Sequence, residues 1–209
     1  MKTEELFDAI KKNDAAAIAA LLDEDRALLG ATSNDITAVL FAVYYGHPEL
    51  AALFVERGAE LSLAELAALG DRRALDGEIE SYSTDGFPLL GLAIFFRHPE
   101  LARELIARGA DVNARARNQA RVMPVHAATA VGDHETMRLL LARGADPNAR
   151  QQLGYAPLHD AAARGDETMV GLLLDGGADP QAKNDDGKTP AEMAADKGHA
   201  TLAERLRAL

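Results

Sequence analysis

A mainly α-helical solenoid of stacked helix-turn-helix pairs is the fold class this sequence predicts, on three observations. Met-Pro-Val-His-Ala-Ala-Thr-Ala-Val-Gly-Asp, beginning at Met123, returns 33 residues later as Ala-Pro-Leu-His-Asp-Ala-Ala-Ala-Arg-Gly-Asp, beginning at Ala156. The segment Leu-Leu-Leu-Ala-Arg-Gly-Ala-Asp-Pro-Asn from Leu139 returns at the same offset from Leu172 as Leu-Leu-Leu-Asp-Gly-Gly-Ala-Asp-Pro-Gln. A fixed period of this length marks a repeat array, in which each unit buries its apolar face only against its neighbours. Finally, aromatic residues make up only 5% of the chain. Alanine and leucine carry much of the apolar content, which suits thin layers of closely packed helices.

The phrases Pro-Leu-His-x-Ala-Ala, Gly-Asp or Gly-His, and Leu-Leu-Leu-x-x-Gly-Ala-Asp resemble the ankyrin repeat, which has the same period. The resemblance implies helix pairs joined by short β-hairpin loops, about six repeats plus a truncated one, in a single domain over residues 1–209. The alanine-rich, cysteine-free wording suggests a bacterial source.

Each repeat follows in order. Residues 1–33 form an N-terminal cap, with Leu6, Phe7 and Ile10 at helical spacing and a break at Asn13-Asp14. Lys2, Glu5, Asp8 and Lys11 face outward, as expected where nothing stacks. The second repeat, 34–62, opens its second helix at Gly46-His47-Pro48. It ends at Gly58, which fits a left-handed position after the helix. The period then breaks, since Gly46 and the equivalent Arg97 are 51 residues apart. Residues 63–81 are expected to be a truncated repeat, helix, turn at Gly70-Asp71, helix, without a hairpin. Leu63, Leu66, Leu69 and Leu75 require cover there.

The repeat at 84–116 has Arg97 in place of the turn glycine. Gly109 and Gly144 lie 35 residues apart, so the hairpin between them is two residues longer than the period allows. Repeats 119–150 and 151–183 are regular, and 184–209 is a C-terminal cap.

Bulk properties narrow the function classes. The formal net charge of −11 argues against general nucleic-acid binding and against an anionic membrane surface. No cysteine is present, which removes disulfides, thiolate zinc sites and a cysteine nucleophile. Acids stand near the start, and no apolar run has the length of a membrane span. The expected location is the cytoplasm.

Chemistry is sparsely signalled. By the resemblance, His126 and His159 cap first helices through local hydrogen bonds. Equivalent atoms of stacked helices lie about 10 Å apart, whereas zinc needs nitrogens at about 2 Å, so a histidine ladder does not close on a metal. Gly187-Lys188-Thr189 lacks the phosphate-loop glycine, since Ala182 stands five residues earlier. No catalytic residue, cofactor or metal is expected.

The resemblance implies a concave binding face built from hairpin residues and first helices. The corresponding positions here are Ile36, Tyr44, Tyr45, Phe87, Phe95, Phe96, Val122, Val131, Tyr155 and Arg164. Six of the chain's ten aromatic residues fall among them. Exposed aromatics mark interaction surfaces; a packing role beside the truncated repeat competes with that reading. Arg115, Arg117 and Arg121 cluster in the long hairpin, as a solvated loop tip or as a basic finger. The expectation is a non-catalytic protein-binding monomer, an inhibitor or adaptor, whose partner segment is apolar with acidic flanks. A structural or self-assembly role is the alternative, and an enzyme a distant third.

Overall fold

The computed structural model describes residues 2–209. It packs as two compact units, Met1–Leu89 and Leu90–Leu209.

In the first unit α1 (Lys2–Lys11) and α2 (Ala15–Glu24) precede a 3-10 turn at Arg26–Gly30. A two-residue β-hairpin follows, β1 (Thr32–Ser33) antiparallel to β2 (Ile36–Thr37), then α3 (Ala38–Tyr44) and α4 (Ala51–Glu56). Leu6 and Ile10, one turn apart, meet Ile18, Leu22 and Phe54 in a core with no solvent exposure. The spacing seen in the sequence is the spacing of one helix face.

Residues 63–81 depart from expectation. The first helix is present as α5 (Leu63–Leu69), but the second is only a 3-10 turn, Arg72–Leu75. Asp71 accepts from the backbone N–H of Arg73 and also clamps its guanidinium at 2.6 Å. These bonds favour a tight turn over a propagating helix. Gly77 then passes so close to Leu63 that a Cβ would stand 2.6 Å from its methyl group. Buried Glu65 closes a capping box with Ser62 at the start of α5, and its other oxygen accepts from the Thr37 hydroxyl at 2.6 Å.

The second unit contains α6 (Leu89–Phe95), which begins at the division, and the pairs that follow it. These are α7 (Pro99–Ala107), α8 (Pro124–Val131), α9 (His134–Ala142), α10 (Pro157–Arg164), α11 (Glu167–Asp175), α12 (Pro190–Asp196) and α13 (Ala200–Arg207). The first helices α8, α10 and α12 stack in one row, and α7, α9 and α11 in another. Ala128, Ala161, Ala162 and Ala194 are fully buried in the first row, where a small side chain lets helices approach. Met137, Leu140, Met169 and Leu173 fill the second row.

The Gly-Asp phrase is the turn between the helices of a pair. Gly132 and Gly165, at φ near +69 and +68, end α8 and α10 in the left-handed region. Asp133 and Asp166 then accept from the backbone N–H groups of Thr136 and Met169 to start α9 and α11. Arg97, in the glycine position, takes φ +63.

Asparagines join the loops of successive repeats. Asn113 donates to the Gly144 carbonyl and accepts from the Asp146 N–H; Asn148 does the same with Gly177, at 2.9 Å, and Asp179, at 2.8 Å. Hairpin tips are linked too: Gln152 N–H donates to the Ala120 carbonyl, and Asp185 N–H to that of Leu153. Asn148→Ala removes two bonds at a solvent-exposed site, so urea unfolding is expected to show a loss of about 1–2 kcal/mol. A change below about 0.3 kcal/mol would mean that water replaces both.

No helix among the described residues is long and apolar enough to cross a membrane.

Candidate functional site

In the unit 1–89, the paired tyrosines point to different tasks. Tyr44 is half-buried and donates its hydroxyl to Asp85 at 2.9 Å. Burial, reinforced by that carboxylate, pushes the phenol well above its ordinary pKa. Tyr45 is 48% exposed and stacks on Phe41, ring centres 4.5 Å apart. Phe41 in turn meets Phe7 edge to face. Ile36 and Phe87 are half-buried, and the Phe87 backbone exchanges hydrogen bonds with Ser83. Tyr44 is thus held inward by Asp85, whereas Tyr45 stands exposed to solvent.

In the unit 90–209, the predicted residues converge on the hairpin at 151–155. One cleft, about 270 Å³, is lined by Phe95, Val122, Ala130, Asp160 and Arg164. Phe95 is 47% exposed and meets Phe96 edge to face. A second, about 350 Å³, is lined by Ala120, Leu153, Tyr155, Asp160 and Met193. A third, about 600 Å³, is bounded by Arg115, Arg121 and Arg150 together with Asp146 and Asp185. Gln151 lines all three. Phe95, Val122, Tyr155, Arg164, Arg115 and Arg121 are therefore brought to one neighbourhood. Phe96, Arg117 and Val131 line none of these three clefts.

Sequence reasoning passed over Leu153. It is 61% exposed and held at φ +61, so an apolar side chain stands in solvent on a backbone that β-carbons disfavour. Its signal was legible: Leu153 occupies the place that Asp186 holds one period later, before the glycine of the turn. The adjoining Gly154 carries no side chain because a Cβ would lie 2.5 Å or less from Asp185 and Arg150. The Arg150 guanidinium crosses there to the Lys183 carbonyl at 2.7 Å.

Of the two Pro-x-His histidines, His126 lines the first of these clefts, and both tie the repeats together beneath the surface. His126 Nδ1 accepts from the Met123 N–H, and its Nε2–H donates to the Ala149 carbonyl at 3.0 Å. His159 repeats this with the Ala156 N–H and the carbonyls of Ala182 and Lys188. Burial lowers both imidazole pKa values, against the raising effect of the carbonyls, so both rings are neutral. Each histidine ties its own helix start to the loop that leads into the next repeat.

His134, elsewhere on the unit, bonds the cap residue Asp166 at 2.8 Å. Burial raises the Asp166 carboxyl, but hydrogen bonds from Met169 N–H and His134 outweigh it and hold the group below its ordinary value. On α10, Arg164 pairs with Asp160 at 3.1 Å, one turn earlier.

Comparison with known families matches the family described as Ankyrin repeat over residues 85–117 and that described as Ankyrin repeats (3 copies) over 124–208. The two stretches together exceed half of the chain. No curated protein matches it.

Proposed function

The chain belongs to the ankyrin-repeat family, and from that premise we propose that it is a non-catalytic module whose protein partner lies on the 151–155 hairpin and the clefts beside it. Ankyrin repeats are generally protein–protein interaction modules, and the family is typically non-catalytic. The observation that carries the reading is the gathering of Phe95, Val122, Leu153 and Tyr155 beside Arg115, Arg121 and Arg164. Apolar area flanked by guanidinium groups suits a partner segment that is apolar with acidic flanks. The module acts as a monomer, as an inhibitor or adaptor of the protein it holds.

Phe95→Ser/Tyr155→Ser tests this reading, since both side chains are partly solvent-exposed and their loss leaves the buried rows intact. Affinity capture from the source cell, read by mass spectrometry, is expected to lose a wild-type partner in the double variant while thermal unfolding stays close to wild type. Equal capture by both proteins would place the binding surface elsewhere.

A further inference from the structure

We infer that the cleft between the hairpins at 115–121 and 150–154 is a subsite for one acidic side chain of an extended partner peptide. This deepens the protein-binding role and rests on it.

The charge balance is the starting point. The chain has 33 acids for 22 lysines and arginines, so a carboxylate is seldom far from a cation. Arg57, Arg73, Arg138 and Arg205 all hold one. Among the described residues Arg115 and Arg121 have no carboxylate at ion-pair distance, and the polar contact of the Arg115 guanidinium is the Met123 sulfur at 4.0 Å. Both line the same cleft, with Arg150, against Asp146 and Asp185. Three cations against two anions leave a local excess of one positive charge on a protein of net charge −11.

The arms are also preset. Asn118 accepts from the Ala120 N–H, and its carbonyl accepts from the Arg121 N–H, which closes the tip as a tight turn. Arg121 is held there at φ +54, a conformation a side chain pays for. The Ala120 carbonyl is bonded to Gln152 N–H, which fastens the tip to the following hairpin. The turn fixes the backbone from which the Arg121 side chain extends, so binding orders that side chain and not the loop that carries it.

The rest of the lining fits a main chain. The side chains of Gln119, Gln151 and Gln152 line the cleft, have no hydrogen-bond partner among the described residues, and each amide offers one donor face and one acceptor face. An extended peptide presents N–H and C=O groups in alternation, which these amides can meet. Its side chains alternate in direction, so an acid at one position and an apolar residue two further on share a side. The first meets Arg115 and Arg121, and the second meets Leu153. A nucleic-acid strand fits less well: a cleft with one excess charge takes one carboxylate, while a phosphate backbone would run on over an acidic surface.

The test is panning of a random twelve-residue peptide library displayed on phage against the whole chain. Synthetic copies of the recovered peptides are then measured by fluorescence anisotropy. Recovered peptides are expected to be enriched in Asp and Glu two positions from Leu, Ile or Phe. Peptide Glu→Gln, Arg115→Ser and Arg121→Asn should each weaken binding about tenfold. Asparagine tolerates the left-handed backbone, so Arg121→Asn removes the charge and keeps the turn. Pairing Glu→Gln with Arg121→Asn should cost little more than either alone. Peptides without acids that bind all variants equally, yet are lost in Phe95→Ser/Tyr155→Ser, overturn the acidic subsite and leave the binding module standing. Recovery of no peptide, or tighter capture of a single-stranded DNA oligonucleotide, overturns the proposal and the module reading together.

Discussion

His159→Ala is expected to cost about 2–4 kcal/mol in urea unfolding, the largest single-residue effect outside the apolar rows. The ring is fully buried and bonds the Ala156 N–H and the carbonyls of Ala182 and Lys188. Truncation orphans these groups at the junction of two repeats and leaves a void the size of the ring. A loss under about 1 kcal/mol would show that water enters and rebonds them. The same ring makes stability depend on pH. Its Nδ1 is an acceptor, so protonation breaks a bond, and burial lowers the folded pKa, as it does for His126. An unfolded histidine titrates near about 6.5. Stability is therefore fully present above that value and is lost as pH falls from there through the lower folded pKa. Between pH 7.5 and 5 the wild type should lose stability that His126→Gln/His159→Gln does not lose. A slope that survives unchanged in the double variant rejects the assignment.

Leu153→Asn is expected to weaken partner binding by about 10- to 100-fold, the worth of one buried leucine side chain. The same change should leave the fold as stable as wild type or more stable by about 0.5–1 kcal/mol. The two effects separate because of where the residue stands. Its side chain is mostly in solvent in the free protein, so folding gains little from it. Its backbone is left-handed, where asparagine is less strained. Calorimetry on a captured partner and thermal unfolding read the two sides independently. Unchanged affinity would mean that the partner does not reach the hairpin tip.

Much of this was open to reading along the chain. The Gly-Asp turns, the Pro-x-His starts and the Leu6-Phe7-Ile10 face are local, because a left-handed glycine, an aspartate cap and a helical stripe each depend on a few neighbouring residues. Arg97 could be placed in the turn because His98-Pro99-Glu100 after it repeats the His47-Pro48-Glu49 that follows Gly46, and its positive φ agrees. Residues 72–75 were less legible, because a helix and a 3-10 turn share the same wording there; the clamp of Asp71 on Arg73 selects the turn.

The candidate site divides on the same line. Period and wording nominated Phe95, Val122, Tyr155, Arg164 and the hairpin arginines, but could not separate Tyr44 from Tyr45. Adjacent aromatics look alike in a string; only the position of Asp85, 41 residues away, turns one inward. The period marks Leu153 as the residue in the place of Asp186, but its exposure belongs to the assembled surface. By itself, then, the sequence determined the family, the mainly helical repeat fold and the turn chemistry, all of which rest on short-range backbone geometry. The tertiary structure alone decided which side chains pack, which stand in solvent and which arginines lack a carboxylate, because burial and pairing arise only when distant segments meet.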